Sequence, residues 1–208
     1  MNPNEPPKEN TTGLLRLFVY GTLKRGYWIT ACERSEQTGR ERRKARVRRT
    51  ELAKRGRNHE RFCRGVLSVE EAVVRGRLYE LPSGIPVLEV PEADVLAHGT
   101  ADPLADVATQ ARLAAEFAAR AAHPELGENG APGGRWGPVY GELLTFDDPE
   151  TRLPAIDRLE GFLPGGPSLY RRVLVLSITH GVTVPVWLYV GVGPFHQARR
   201  LPQGFWSG

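Results

Sequence analysis

The sequence predicts an α+β protein in which a small mixed β-barrel is flanked by helices. Short apolar runs follow one another across Gly- and Pro-containing turns, which is typical of consecutive strands. Helical periodicity is confined to separate blocks, which favours a mixed sheet curling toward a barrel over a doubly wound parallel fold. The chain has 208 residues, of which 40% are hydrophobic and 25% charged, enough for one domain with a sizeable core.

We expect a single domain over residues 14–195, which carries two insertions. The first insertion lies near 31–72 and is basic, and the second lies near 98–138 and contains an Ala-rich helix and a loop. Residues 1–13 are rich in Pro and Asn and almost without apolar residues, so we expect a disordered tail there. Residues 196–208 are assigned to a C-terminal tail.

Six stretches have the apolar, strand-forming composition of β-strands. They are residues 14–20, 73–81, 85–90, 139–146, 170–178 and 182–190. The last two are separated only by His180 and Gly181, which predicts a hairpin.

Two helices are predicted. Asp102 as N-cap and Pro103 at the first helical position begin a run without Gly or Pro through Ala122. The face of this helix that should pack on the protein body is Leu104, Val107, Ala111, Ala114 and Ala118. A second helix starts after Asp147 and ends at Gly161.

The net charge of +4 is unevenly distributed. Residues 40–57 contain ten Lys or Arg against two Glu, a local net charge of +8, so the rest of the chain carries −4. Such a segment could contact phosphates, but it holds no aromatic residue for base stacking. A solvated face, or contact with an acidic partner protein, is an equally good interpretation.

Other residue patterns exclude several classes of protein. The chain has two cysteines, Cys32 and Cys63, and no N-terminal signal pattern, so we expect a cytoplasmic protein without disulfides. The longest uncharged stretch is residues 181–195, which is too short for a membrane span. Neither the cysteines nor the five histidines recur at ligand spacing, so no metal site is expected.

One carboxylate lies on an unexpected face of the second helix. Leu153, Ile156, Leu159 and Leu163 define a predicted buried stripe at 100° per residue. Glu160 falls inside that stripe, whereas Asp157 lies at its edge. A buried glutamate either pairs with a cation such as Arg171 or becomes easier to protonate, and the second state suits a general base.

Two ordered motifs resemble those of the gamma-glutamylcyclotransferase-like (AIG2-like) family. The first is FVYGTLKRG at residues 18–26, and the second is IDRLEG at 156–161 followed by YRR at 170–172. Residues 76–81 and 139–143 are similar to inner strands of the family. The resemblance extends from about Leu15 to Val190 and is interrupted by the two insertions.

The resemblance implies a small mixed barrel and an enzyme that needs no cofactor or metal. Such an enzyme cyclises the gamma-glutamyl group of a small-molecule gamma-glutamyl amine or peptide to 5-oxoproline and releases the amine. Glu160 would be the catalytic acid and base, and the backbone N–H groups of the turn formed by Tyr20, Gly21, Thr22 and Leu23 would bind the substrate. Tyr170 would add a hydroxyl donor.

Alternative interpretations stay open at the level of sequence. Taken singly, Gly21 could be an ordinary turn glycine and Tyr170 a core aromatic residue. A non-catalytic binding protein on the same fold, using residues 40–57 for nucleic acid or an acidic partner, is the second hypothesis. The residues do not indicate the leaving amine or the oligomeric state.

Overall fold

The structure, a computed structural model, describes residues 13–21, 65–121, 136–193, 195 and 197–207. The predicted N-terminal tail, except for Gly13, lies outside these residues, as do Thr22 and Leu23. The basic segment 40–57 lies outside them as well, so its predicted role in binding stays a prediction from sequence.

The described residues form eight strands and two α-helices. In chain order they are β1 (Leu15–Val19), β2 (Val66–Glu80), β3 (Pro86–Glu89), β4 (Ala97–His98), α1 (Pro103–Ala121), β5 (Gly137–Phe146), α2 (Pro149–Glu160), β6 (Tyr170–Thr179), β7 (Val182–Gly191) and β8 (Arg199–Leu201).

Five strands close into a ring in the order β2, β5, β1, β7, β6 and back to β2. The β1–β7 pair is parallel, and the other pairs of the ring are antiparallel. The pairs Val73 with Ile178 and Val74 with Ser177 complete the closure between β2 and β6. Strands β3 and β8 extend the far end of β2, and β4 pairs with β6. The predicted α+β class, a mixed sheet with flanking helices, is confirmed.

Strand β1 is apolar except for Arg16 because both of its faces are buried. Phe18 and Tyr20 point into one core cluster, together with side chains from β2, β6 and β7. Leu15, Leu17 and Val19 belong to a second cluster, which includes residues of both helices. A strand covered on two faces needs a continuous apolar run rather than alternation, as the sequence has here.

Helix α1 has the predicted bounds to within one residue, but its buried face is different. Val107 is buried as predicted, whereas Leu104 is 40% exposed and Ala111 and Ala118 are exposed. The other buried positions are polar, namely Asp106 and Gln110. The helix is rotated toward these residues because both find hydrogen-bonding partners in the strands.

The buried stripe predicted for α2 is correct only in its first half. Leu153 and Ile156 are buried, but Leu159 is 37% exposed and Leu163, which lies beyond the end of the helix, is 57% exposed. Asp157 is buried in their place. Its carboxylate accepts a hydrogen bond from the buried Arg172, and the spacing of apolar residues does not predict such an interaction.

Two predicted boundaries are wrong. Strand β2 begins at Val66, so residues 66–72 pair with β5 and belong to the ring rather than to the first insertion. At the other end, β8 pairs with β2, and Leu201 and Trp206 are buried. The segment 197–207 therefore packs on the body of the protein and is not a tail.

Candidate active site

A pocket opens at the end of the ring where the parallel strands β1 and β7 both finish. Because parallel strands end at the same edge of a sheet, the pairing of Leu17 with Trp187 brings these two C-terminal ends together. The empty space is about 430 Å³ and is open to solvent. Its lining consists of Phe18, Val19, Tyr20, Gly21, Ile85, Pro86, Glu160, Tyr170 and Tyr189.

Four of the six predicted site residues line this pocket: Tyr20, Gly21, Glu160 and Tyr170. They come from three separate parts of the chain, and the fold brings them to one place. The other two, Thr22 and Leu23, follow Gly21 directly and lie outside the described residues.

Tyr20 is part of the pocket's framework. Its side chain is buried, and its hydroxyl donates to the carbonyl oxygen of Tyr189 over 2.8 Å and accepts from the N–H of Leu88 over 3.3 Å. Burial raises the pKa of Tyr20 well above 10, and the negative charge of Glu160 contributes to the increase. The hydroxyl is therefore neutral at physiological pH and is engaged with backbone groups.

Gly21 lies in the turn just after β1 and packs against the side chain of Pro86. A Cβ added at Gly21 would lie 2.8 Å from Pro86 Cγ, closer than real side chains pack. Glycine at this position therefore allows Pro86 to pack directly against the turn, and both residues line the pocket.

Glu160 is the last residue of α2 and is partly buried. The helix ends there because Gly161 adopts a left-handed conformation (φ 66°), and the N–H groups of Gly161 and Phe162 both donate to the carbonyl of Asp157. Burial is the main cause of the raised pKa values of Tyr20 and Tyr189, and the negative charge of Glu160 adds to both increases. Arg171, which the sequence suggested as a cationic partner for Glu160, forms an ion pair with Glu92, in which Nη2 lies 3.5 Å from Oε2.

Tyr170, the first residue of β6, lines the pocket beside Pro86. Its hydroxyl donates to the carbonyl oxygen of Pro86 over 3.3 Å. The ring is half-buried, so one surface of this tyrosine remains available to a ligand.

Tyr189 is a pocket residue that the sequence did not indicate. It lies in the apolar run of β7, where an aromatic residue is ordinarily part of the core. Its hydroxyl donates to Asp157 Oδ1 over 2.6 Å, and burial raises the pKa of Tyr189 well above 10. Its place in the pocket follows from the parallel pairing of β1 with β7, and local sequence does not predict which strands pair.

Behind the pocket wall lies a buried ionic cluster. Arg172 donates to Asp157 through Nη1 and to Asp106 through Nη2, and its side chain has no exposed surface. Nη2 also donates to the carbonyl of Thr100 over 2.8 Å. Burial raises the pKa of Asp157, although the hydrogen bond from Tyr189 and the charge of Arg172 oppose the increase.

The described ranges contain neither a metal-ligand cluster nor a helix that could span a membrane. His, Cys, Asp and Glu side chains there form no group of three or more that could hold a metal ion. Neither of the described helices has the length and apolar character needed to cross a bilayer.

Comparison with known proteins supports the family resemblance. The family described as gamma-glutamyl cyclotransferase, AIG2-like, matches residues 109–208. This range starts within α1 and contains Glu160 and Tyr170, whereas the YGTLKRG motif lies before it. The curated proteins searched gave no significant match.

One solved structure that the chain is similar to is an AIG2-like protein from Mus musculus. The identity is 16% over 94% of this chain and 96% of that chain, with a TM-score of 0.34. No part of the fold or site described above depends on this distant likeness. The family match over residues 109–208 supports the resemblance found in the motifs, in particular in the second motif, which lies within that range.

Proposed function

We propose that this protein is a gamma-glutamyl cyclotransferase that acts on a small gamma-glutamyl amine or peptide. The α-amine of the substrate attacks its own side-chain carbonyl, the new C–N bond closes a five-membered lactam, and the bond to the leaving amine breaks. The products are 5-oxoproline and the free amine. The reaction consumes no water and no redox equivalent.

The observation that carries the proposal is the convergence of Glu160, Gly21 and Tyr170 on one pocket. They belong to the two motifs that resemble the family, and more than a hundred residues separate the motifs in the chain. Nothing local requires Gly21 and Glu160 to meet. A shared substrate-binding pocket would explain why both motifs occur in the same chain.

The first task of the pocket is to bend the substrate into the geometry of attack. Nucleophile and electrophile belong to one molecule, so correct orientation alone can lower the barrier by about 7–11 kcal/mol. The rings of Phe18, Tyr20 and Tyr189, with Ile85 and Pro86, give the pocket walls the rigidity and apolar character that such orientation requires.

The second task is proton transfer. The substrate amine is an ammonium at neutral pH and must lose a proton before it attacks. Glu160 would accept that proton and return it to the departing amine. Glu160 lines the pocket, so its carboxylate can reach the amine of a substrate bound there.

The third task is to hold negative charge on the substrate. We assign it to the backbone N–H groups of the turn that follows β1, starting at Gly21, which lines the pocket. Thr22 and Leu23 are included from the sequence motif. Tyr170 would offer its hydroxyl as well.

We also propose a cytoplasmic location for the protein, because the sequence contains only two cysteines.

The proposal is tested by incubating the purified protein with a panel of gamma-glutamyl amines and peptides. Cyclisation predicts equal amounts of 5-oxoproline and free amine, with no glutamate. Release of glutamate would instead indicate hydrolysis, and no product from any member of the panel would contradict the proposed function.

A further inference from the structure

We infer that the buried cluster of Asp106, Arg172 and Asp157 is the positioning device of the pocket, and that Asp106 of α1 acts through Arg172 to hold the turn that carries Glu160. The significance of that turn for catalysis rests on the proposed function. The cluster itself rests on contacts between described residues.

The first step is the burial of the charges. The side chain of Arg172 is 0% exposed, that of Asp106 is 3% exposed and that of Asp157 is 13% exposed. Buried ions keep their place only when each has a partner, so none of the three can change position without leaving a charge uncompensated. The cluster therefore behaves as one rigid unit.

The second step is the attachment of Asp157 to the end of α2. Its backbone carbonyl accepts the N–H groups of Gly161 and Phe162, while its side chain is held by Arg172 and Tyr189. The last helical turn is thus anchored through both the main chain and a side chain. Glu160 is three residues beyond Asp157, on the adjoining face of that turn.

The third step connects the cluster to the opposite pocket wall. Tyr189 lines the pocket and donates its hydroxyl to Asp157 Oδ1 over 2.6 Å. The carboxylate of Asp157 therefore determines both the position of Glu160 and the orientation of the Tyr189 ring.

The fourth step assigns a role to Asp106, which does not line the pocket. The planar guanidinium of Arg172 offers Nη1 to Asp157 and Nη2 to Asp106, so the second carboxylate sets the orientation of the fork. Asp106 is itself held by the N–H of Thr100 over 3.0 Å and by the Thr100 hydroxyl over 2.9 Å. Asp106 is thus a positioning residue that acts through Arg172.

The test compares Asp106→Asn with Glu116→Gln. Both change a carboxylate to an amide on α1, but Glu116 pairs with Arg112 on the exposed surface. Amide hydrogen exchange is measured over residues 157–162 and over the first turn of α2. We expect faster exchange at 157–162 in Asp106→Asn, and no change at either segment in Glu116→Gln.

Activity is then measured with a substrate found in the panel above. We expect Asp106→Asn to lower kcat by about tenfold to a hundredfold with little change in KM, because misplacing a reacting group by about 1 Å has an effect of that order. Tyr189→Phe, which keeps the ring and removes only the hydroxyl, serves if Asp106→Asn does not fold. The double variant should lose less than the product of the two single losses, since both act through Asp157.

The outcomes separate this inference from the proposed function. Unchanged exchange at 157–162 in folded Asp106→Asn and in Tyr189→Phe would overturn the cluster's role, whatever the enzyme does. Faster exchange at that turn with unaltered kcat would also overturn it. If Asp106→Asn shows faster exchange at 157–162 but the wild-type protein releases no 5-oxoproline, the role of the cluster is supported and only the proposed function is contradicted.

Discussion

The hydroxyl of Tyr20 donates to the carbonyl oxygen of Tyr189 over 2.8 Å and thereby joins the ends of the two parallel strands beside the pocket. The hydroxyl oxygen of Tyr20 also accepts the N–H of Leu88 over 3.3 Å, so one side chain connects the end of β1 with β3 and β7. The buried hydroxyl contributes to the stability of the pocket edge rather than to chemistry.

We predict that Tyr20→Phe lowers the free energy of unfolding by about 1–3 kcal/mol at neutral pH, because the buried N–H of Leu88 loses its acceptor. Tyr140→Phe, which alters a ring that is 47% exposed, is the control and should cost much less. Chemical denaturation measures both. Equal effects would show that the Tyr20 hydroxyl contributes nothing specific.

Alkaline pH should destabilise the fold through two tyrosines. Burial raises the pKa of Tyr20 and of Tyr189 well above 10, so above pH 10 the unfolded chain releases protons that the folded chain retains. The free energy of unfolding must then fall as the pH rises beyond about 10. Tyr20→Phe should make this decline less steep, and an unchanged slope would contradict the assignment.

Gly21→Ala should impair substrate binding. The added methyl group would lie 2.8 Å from Pro86 Cγ, and displacement of Pro86 also disturbs the carbonyl that accepts the Tyr170 hydroxyl. We expect KM to rise about tenfold, which corresponds to a loss of 1.4 kcal/mol. Steady-state kinetics checks this expectation, and a KM equal to that of the wild type would show that the turn does not contact substrate.

Gly99→Ala should destabilise the protein from inside the ionic cluster. A Cβ at this position would lie 2.5 Å from Arg172 Nε, and the fully buried arginine has no space into which to move. We expect a loss of about 1–3 kcal/mol. Gly137→Ala, where an added Cβ meets nothing within 4 Å, is the matched control and should be nearly neutral.

Gln110→Leu should weaken the contact between α1 and the ring. The Gln110 amide accepts the N–H of Arg16 and donates to the carbonyls of Arg16 and Pro185, so it bridges β1 and β7. Loss of these bonds leaves buried backbone groups unpaired, at about 1–3 kcal/mol. Gln203→Leu, on the exposed surface, should have little effect on the midpoint of thermal unfolding.

Local sequence was sufficient for six of the eight described strands and for the helix ends, whereas β4 and β8 were not predicted. Apolar runs predict strands because buried strands need them, and Gly161 predicts the end of α2 because it tolerates φ 66°. Gly21 and Glu160 were found through motifs, which bring in the family resemblance that local physics lacks.

Buried polar residues escaped prediction because their partners are distant in the chain. Asp106 and Gln110 were not included in the predicted packing face of α1, because a helical projection counts only apolar side chains. Asp106 is buried against Arg172, and Gln110 against the backbone of Arg16 and Pro185. Tyr189 was missed for the same reason, since its place in the pocket depends on the parallel pairing of β7 with β1.

The central claim is that Glu160 transfers the protons of the cyclisation. Its most direct test is the rate of 5-oxoproline release by Glu160→Gln beside that of Glu150→Gln, a carboxylate-to-amide change on the exposed first turn of the same helix. The account predicts that folded Glu160→Gln loses about a hundredfold or more of the wild-type kcat, as is typical for removal of a general acid–base group, while Glu150→Gln retains it. Full activity of Glu160→Gln would contradict the account.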